Sequence, residues 1–402
     1  MKARVFMSLA TATAVAAGLL AAGVGAWAFT GWTQMSSPTP GTYGSLLKAV
    51  EATSPSDAWA VGGSAASTSN QTLAEHWNGS SWTAVATPDP VASCQDGNIQ
   101  WTGNTFDSVA AVAPNDVWAV GHSCYERNAL AEHWDGNAWR IVPTVSFNTG
   151  GDGIQNTLNG VAAISTSNVW AVGTHTASNG AFQTLIEHWN GSAWSAVASP
   201  SPSGSADVLN GVAASGAGDV WAVGYQNGSA RQPLIEHWNG STWSVVPSPS
   251  RSAGSVLNAV AVLGHADVWA VGTQPASTLA PTTLIEHWNG STWSVVPSPN
   301  VSSTYGSSND LRGIAADSPT DVYAVGMFQN ASTNYHQRRP LTLHWNGTAW
   351  SMLSTPSAGQ SAELNGIASA SGRHFGVGLY SQYQVNIYDG TYTAPRTYVL
   401  TG

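Results

Sequence analysis

Short apolar segments alternate with polar turn clusters along the chain, and the same alternation returns roughly every 50 residues. The clearest copy, Leu209–Pro249, contains LNGVAASGAGDVWAVG, a variable link and LIEHWNGSTWSVVPSP. A Gly ends the VWAVG-like segment of seven copies, at Gly62, Gly121, Gly173, Gly224, Gly272, Gly326 and Gly378. A fixed period of this size indicates a repeat architecture.

Each copy contains four short segments of the kind that forms β-strands, which are NGVAA, DVWAVG, LIEHW and WSVVP in the clearest copy. Asn239-Gly240 predicts a tight hairpin between the third and fourth strands. Asp219 lies at the turn before the second strand, where we expect its side chain to bond the backbone ahead. Four such strands cannot bury both faces alone. Seven copies therefore predict an all-β, seven-bladed β-propeller of four-stranded antiparallel blades.

The predicted propeller is a single domain that spans residues 29–402. Its blades cover about 46–88, 106–143, 158–200, 209–249, 257–299, 311–356 and 364–402. The segment Trp32–Pro38 matches the fourth strand Trp243–Pro249 but follows no other strand. We predict that it completes the last blade and closes the ring. The alternative is that Tyr392–Leu400 forms this fourth strand. In both cases we place Tyr388 at the aromatic position of the third strand of this blade.

The aromatic positions and turns resemble those of a known repeat family. Trp221 with Gly224, then Trp238, Asn239-Gly240 and Trp243, resemble a blade of the kelch-like, galactose-oxidase-type β-propellers. The resemblance covers nearly all of the chain after residue 28 and implies the propeller fold. In one respect the chain departs from the family, because the usual Gly-Gly doublet occurs in this strand only at Gly62-Gly63.

Tryptophan is the main apolar residue of the repeat. Of the 20 Trp residues in the chain, 17 occupy repeat positions in the first six copies. Each can bury about 150–250 Å² of surface. We therefore expect these side chains to form the core between neighbouring blades.

The first 28 residues have the features of a secretory signal peptide. Lys2 and Arg4 precede an apolar run at Ala14–Val24, and Ala26-Trp27-Ala28 fits the cleavage pattern. We predict cleavage before Phe29, a secreted or extracellular protein and no membrane span after cleavage. An uncleaved anchor is the alternative. Loss of Lys2 and Arg4 changes the formal net charge from −10 to −12.

The acidic charge and the shortage of lysine argue against nucleic acid as a partner. Lys48 is the one lysine that remains after cleavage. A protein of this kind cannot neutralise many phosphates. We expect a glycan or an extracellular protein as the partner, and a monomer.

The two cysteines, Cys94 and Cys124, both belong to the second copy or its borders. In an exported protein such a pair favours a disulfide, and two unlinked thiols are the alternative. Their spacing fits no metal-binding motif, and we predict neither a metal nor another cofactor.

A Glu-His pair recurs in the third strand and is the most conspicuous polar motif. It occurs at Glu75-His76, Glu132-His133, Glu187-His188, Glu236-His237 and Glu286-His287. A ring of ligand sites is one interpretation. Adjacent strand residues point to opposite faces, however, so one Glu-His pair cannot hold a single ion. We favour a structural role in which these side chains satisfy polar groups of neighbouring blades.

The links between second and third strands should emerge on one face, where a rigid scaffold can carry a binding site. The candidate ligand-binding residues of these links are His122, Tyr125, Arg127, His175, Tyr225, Arg231, Tyr335, His336, Arg338 and Arg339. No catalytic motif is present, which favours a non-catalytic binding module. The alternatives are a carbohydrate-active enzyme or copper-dependent oxidase with its site at the axial mouth, and a structural cell-surface scaffold.

Overall fold

A computed structural model describes residues 31–66, 69–90, 95–96, 99–100, 102–123, 128–147, 155–249, 252–276, 280–301, 306–330, 337–382 and 394–402. These residues form seven antiparallel sheets that stand as blades around an axis, and no helix occurs among them. The predicted fold is confirmed. The predicted leader, residues 1–28, and both cysteines lie outside the described residues. No described segment is a helix long and apolar enough to cross a bilayer.

The first and second strands of each blade form its inner half. From blade 1 to blade 7, the first strands are Gly44–Ser54, Thr105–Ala113, Asn156–Ser165, Asp207–Gly216, Val256–Gly264, Ser308–Ser318 and Ser361–Ala370. In the same order, the second strands are Asp57–Ala65, Asp116–Ser123, Asn168–Thr176, Asp219–Asn227, Asp267–Gln274, Asp321–Gln329 and Arg373–Ser381.

The third and fourth strands form the outer half of each blade. The third strands are Ser69–Trp77, Asn128–Trp134, Phe182–Trp189, Arg231–Trp238, Thr282–Trp288, Arg338–Trp345 and Arg396–Thr401. The fourth strands are Trp82–Val85, Trp139–Ile141, Trp194–Ala196, Trp243–Val245, Trp293–Val295, Trp350–Met352 and, for blade 7, Thr33–Met35. Three two-residue strands, Gln95–Asp96, Ile99–Gln100 and Thr102–Gly103, lie in the link from blade 1 to blade 2.

The N-terminal strand completes the last blade, as predicted. Thr33–Met35 pairs antiparallel with Arg396–Thr401, which in turn pairs with the second strand of blade 7. The alternative, with Tyr392–Leu400 as the fourth strand, is wrong because Arg396–Thr401 is the third strand. Its Thr401 lies opposite Phe375, where the other blades have His. Placing the third strand at Tyr388 was therefore also wrong, and Tyr388 itself lies outside the described residues.

The core lies between blades and consists of seven buried clusters, each shared by two neighbours, including blades 7 and 1. The aromatic residue of a second strand inserts between two Trp rings of the next blade. Trp221, for example, lies 5.1 Å from Trp288 and 5.4 Å from Trp293, measured between ring centroids. This packing confirms the expected role of the repeated Trp residues. It also explains why one blade alone would leave its aromatic face exposed.

The Gly that marks each repeat is explained by a close approach of two strands. A Cβ on Gly224 would lie 2.0 Å from the carbonyl oxygen of Val208 in the first strand. The pairing of these strands shifts register between Leu209 and Gly211, which is a β-bulge. The equivalent Gly of the other six blades would meet a first-strand carbonyl in the same way. The repeated Gly therefore has a structural cause.

The predicted Asn-Gly hairpins are present. Asn239 Oδ1 accepts hydrogen bonds from the backbone N–H groups of Ser241 and Thr242, both at 3.0 Å. Gly240 has a φ of +94°, which only Gly adopts without strain. In blade 2 the same turn begins with Asp135.

Candidate functional site

The His of the repeated Glu-His pair is part of the scaffold. His237 stacks on Trp221, with 4.2 Å between ring centroids, and its Nε2 lies 2.7 Å from Oδ1 of Asp219. Asp219 was expected to bond the backbone ahead, but its partners are the side chains of His237, Trp221 and Ser215. The same His contact recurs in the pairs His76–Asp57, His133–Asp116, His188–Asn168, His287–Asp267 and His344–Asp321.

The Glu of each pair is fully buried and faces the preceding blade. Glu75 accepts a 2.6 Å hydrogen bond from the Ser37 hydroxyl, and Glu187 accepts one of 3.1 Å from the Val145 backbone N–H. Neither carboxyl oxygen of Glu236 has a hydrogen-bond partner in the part of the chain that the structure describes. Burial raises the pKa of Glu75 to about 8, of Glu132 to about 9, of Glu187 to about 7 and of Glu236 to about 8. These carboxyls are structural groups that stay protonated to a higher pH than an ordinary Glu side chain.

Glu and His of one pair therefore belong to different blade interfaces, and they cannot bind the same ion. Within the described ranges, no group of three or more His, Cys, Asp or Glu side chains is placed to hold a metal ion. The structural interpretation of the motif agrees with both observations.

The axis of the ring contains a cavity of about 240 Å³, lined by all seven first strands. One position of each first strand lines it with a polar residue, at Lys48, Asp107, Asn159, Asn210, Asn258, Arg312 and Asn365, and Glu51 of blade 1, whose pKa burial raises to about 7, lines it as well. In blades 3 to 5 the Asn amide ties its blade to the next one. Asn159 donates to the Leu209 carbonyl at 2.9 Å, and Asn210 donates to the Leu257 carbonyl at 2.8 Å.

In blades 6 and 7 this tie becomes a charged network. Arg338 Nη1 lies 2.7 Å from Oε2 of Glu363, and Arg312 Nη1 lies 2.8 Å from the other oxygen of the same carboxylate. Arg312 also contacts Asp310, with Nε 2.8 Å from Oδ2, and donates to Asn365 Oδ1 at 2.7 Å. The two carboxylates and the two guanidinium groups thus satisfy one another.

The network continues into blades 1 and 2. Asn365 donates to the Leu47 carbonyl at 2.8 Å, and the next residue, Lys48, forms a short ion pair with Asp107 Oδ1. His122 Nδ1 lies 2.8 Å from the other carboxylate oxygen of Asp107. Polar contacts therefore occur in blades 6, 7, 1 and 2, in two groups that the Leu47–Lys48 backbone joins. We call the residues Arg338, Glu363, Asp310, Arg312, Asn365, Lys48, Asp107 and His122 the mouth network.

The position of the mouth network on the axis follows from strand direction. Arg338 begins a third strand, and His122 lies near the end of a second strand. Both therefore lie beside the links that join second to third strands. The mouth network faces the side of the ring on which the predicted binding links emerge.

The charges of the mouth network favour the ionised form of Glu363 and of Asp107. Burial acts to raise the pKa of Glu363, but the nearby Arg312 and Arg338 outweigh it and the pKa is lowered. Burial likewise opposes ionisation of Asp107, and the contacts from His122 and Lys48 bring its pKa below the usual value. Glycoside hydrolysis needs one carboxyl that stays protonated. Glu363, held ionised between two guanidinium groups, does not meet that need.

The structure separates the candidate residues that the sequence analysis grouped on one face. His122 and Arg338 join the mouth network. Arg339, next to Arg338 on the strand, points the other way and donates to the Ser357 hydroxyl at 2.8 Å. Arg231 lies over the ring of Tyr225 in blade 4, 4.4 Å from its centroid.

His175 is removed from the mouth network. It stacks on Phe147, with 4.3 Å between ring centroids, and burial lowers its pKa. The candidates Tyr125, Arg127, Tyr335 and His336 lie outside the described residues, as do Cys94 and Cys124 of the predicted disulfide.

The sequence analysis did not select Lys48, Asp107, Arg312 or Glu363 as site residues. Their signal is a departure from the repeat, because Lys48, Asp107 and Arg312 stand where four other copies have Asn. Aligning the first strands of the seven copies would have revealed it.

No family model matches this chain, and no curated protein matches it. Among solved structures it is similar to YCF48 bound to D1 peptide, with a TM-score of 0.52 and 15% identity over 94% of this chain and 98% of that one. Weaker similarity links it to the extracellular domain of the hybrid two-component system BT4673 from B. thetaiotaomicron, with a TM-score of 0.49 and 9% identity over 87% of this chain and 40% of that one. The mitotic checkpoint complex contains a chain with a TM-score of 0.47 and 11% identity, over 82% of this chain and 86% of that one. At such identities the first similarity establishes the propeller fold alone.

Proposed function

We propose that this protein is a non-catalytic binding module that holds a peptide segment of a partner protein over the axial mouth. One observation carries the proposal. Blades 3 and 4 tie to their neighbours through neutral Asn amides alone, Asn258 of blade 5 also donates to Asp310, and blades 6, 7, 1 and 2 have the charged mouth network. Since Asn amides suffice to tie blades, the added charges serve a purpose other than ring closure.

Charges of both signs suit a peptide. The Arg338 side chain is 48% exposed and the Lys48 side chain 34%, so both cations keep N–H donors for a ligand. None of the described residues that line the axial cavity is aromatic, so a sugar ring would find no flat apolar face there to stack on. The similar propeller YCF48 was solved with the D1 peptide bound, which agrees with a peptide as the ligand.

We further propose that the chain is a kelch-like propeller that works outside the cytoplasm. The support is the repeat pattern of aromatic residues and the leader at residues 1–28. The mass of the protein recovered from an exporting host tests the second point. Cleavage before Phe29 is expected, and an intact leader on cytoplasmic protein would contradict it.

The binding proposal is tested by selecting peptides from a random phage-displayed library on the purified protein. Binding constants of the selected peptides are then measured with two single variants. Arg338→Ala removes an exposed cation of the mouth network, and we expect at least a tenfold weaker affinity. Arg339→Ala is the matched control, because this Arg lies one residue away and points to Ser357 instead. It should change the affinity less than twofold.

Two outcomes would contradict the proposal. One is equal binding by both variants, which would place the peptide site away from the mouth. The other is the absence of any enriched peptide together with glycan-array binding that Arg338→Ala abolishes, which would make the ligand a glycan.

A further inference from the structure

The residue after the repeated Gly of the second strand has a side chain in every blade except blade 1, and in blades 3 and 5 this side chain contacts the next blade. In blades 2 to 7 it is His122, Thr174, Tyr225, Thr273, Met327 and Leu379. The Thr174 hydroxyl donates to the Asp207 carbonyl of blade 4 at 3.3 Å, and the Thr273 hydroxyl contacts Asp310 of blade 6. In blade 1 this residue is Gly63, so that no side chain fills the corresponding space.

The described residues leave a cavity of about 340 Å³ at this place, between blades 1 and 2. A Cβ on Gly63 would lie 3.0 Å from the Thr105 hydroxyl, which shows that Gly63 faces across the gap. The apolar part of the wall comes from Tyr43, Leu46, Ala65 and Pro395. Tyr43 is 51% exposed, so the cavity opens to solvent at its side. We call this cavity the Gly63 pocket.

The Gly63 pocket and the axial cavity share one residue, Lys48. Its ammonium group pairs with Asp107, and an ammonium has three N–H donors, so donors remain for a ligand. Because Asp107 already balances the charge, a neutral carbonyl suits the remaining donors better than a second anion. A peptide that crosses the axial mouth therefore passes the Lys48 ammonium group, a hydrogen-bond donor, next to the partly apolar Gly63 pocket.

We propose that the Gly63 pocket takes a large apolar side chain, such as leucine or phenylalanine, from the peptide held at the axial mouth. The backbone carbonyl of that residue accepts a hydrogen bond from Lys48 Nζ. The volume lies within the range of about 300–1,000 Å³ that is usual for ligand pockets. This inference rests on the proposed function and adds a requirement for the ligand.

The test uses N-acetyl-leucine amide and N-acetyl-phenylalanine amide as probes, with N-acetyl-glycine amide as the reference. Each carries the backbone carbonyl, and the reference lacks the apolar side chain. Saturation-transfer NMR with the purified protein should give at least fivefold stronger signals from the two apolar probes. Equal signals from all three would overturn the inference.

Gly63→Thr fills the pocket with the residue that Thr174 and Thr273 supply in blades 3 and 5. We expect it to reduce the signals of the apolar probes at least fivefold. Gly216→Thr is the matched control, because a Cβ there meets nothing within 4 Å, and it should leave the signals unchanged. Gly63→Ser is a smaller change that preserves the test if the Thr variant melts early. Unchanged signals in a folded Gly63 variant would overturn the inference.

The selected peptides separate this inference from the proposed function. If their binding depends on Arg338 but is unaffected by Gly63→Thr, the mouth is a peptide site and the Gly63 pocket is not part of it. If Gly63→Thr weakens the apolar probes while Arg338→Ala leaves peptide binding unchanged, the pocket binds apolar groups, the axial-mouth proposal fails, and so does this inference, which rests on it.

Discussion

Single polar residues in this protein serve two different needs, and burial distinguishes them. Glu132 and Glu236 are fully buried, and among the described residues none of their carboxyl oxygens has a hydrogen-bond partner. Glu363 is also buried, but two Arg side chains balance its charge. The first two carboxyls are therefore stable only as neutral acids, whereas Glu363 is stable as an anion.

This difference predicts how stability changes with pH. Burial raises the pKa of Glu132 to about 9 and that of Glu236 to about 8, from an ordinary value of 4.5. The folded state therefore holds two protons that the unfolded chain releases above pH 4.5. The contribution of these two groups to stability is fully present below that pH and is lost as the pH rises to 8 or 9, by up to about 1.4 kcal/mol per pH unit for each group.

The double variant Glu132→Gln/Glu236→Gln removes both titrations. At pH 9 we expect the double variant to have a higher urea midpoint than the original protein, because its unfolded chain no longer gains free energy by ionising these two groups. At pH 4 the difference between the two midpoints should be much smaller. Urea unfolding across this pH range is the measurement. A parallel offset at every pH would contradict the assigned titrations.

At the scale of the blade, the close approach between first and second strands sets the repeat. The bulge in the first strand brings the Val208 carbonyl against Gly224, and six other blades repeat the contact. An ordinary side chain at this Gly would push the two inner strands apart.

Gly224→Ala should therefore destabilise the protein by about 1–3 kcal/mol, the usual cost of forcing extra atoms into a packed site. Gly216→Ala is the control within the same blade, since a Cβ there meets nothing within 4 Å. We expect it to change stability by less than about 0.5 kcal/mol. Thermal unfolding of the two variants tests this prediction. Equal melting temperatures would contradict it, because they would mean that the two inner strands move apart at little cost.

Blades 1 to 6 were predictable because each carries the full set of Gly and aromatic positions. Blade 7 was not, since its third strand, Arg396–Thr401, has neither the Glu-His pair nor the Trp that follow in other copies. His374 takes part of that role by packing 4.1 Å from Tyr323, measured between ring centroids. Such a replacement from another strand leaves no periodic signal in the sequence.

The candidate site was predictable only in part. The face of the ring was predicted from the links between second and third strands. His122 and Arg338 were among the predicted residues of these links. Lys48 and Arg312 are first-strand residues, and their side chains meet only because the ring brings seven first strands to one axis. The sequence pattern does not give the distances between these side chains, although a comparison of the seven copies shows which positions depart from the repeat.

For the whole molecule, ring closure depends on a strand from the chain's beginning. Trp32 is 7% exposed and belongs to the cluster between blades 6 and 7, together with Tyr323 and Tyr398. The Trp32 ring packs against Gly376, where a Cβ would lie in ordinary contact at 3.5 Å. The N-terminal strand thus contributes to the core as well as to the sheet.

Trp32→Ala should cost about 3–5 kcal/mol of unfolding free energy. Hydrogen exchange should increase first in Arg396–Thr401, the strand that pairs with Thr33–Met35. Thr33→Ala, an exposed change on the same strand, is the control. Exchange that rises equally in all blades would contradict a local opening at the closure.

The closure also decides when folding can finish. The Ser37 and Thr397 hydroxyl oxygens lie 2.9 Å apart, although the two residues are 360 positions apart in the sequence. During synthesis Thr33–Met35 therefore cannot pair until Arg396–Thr401 has been made. A chain that stops before blade 7 has no partner for Thr33–Met35. It leaves the aromatic faces of blades 1 and 6 exposed, where a protease or chaperone can recognise the chain. Completion of the ring thus covers both aromatic faces.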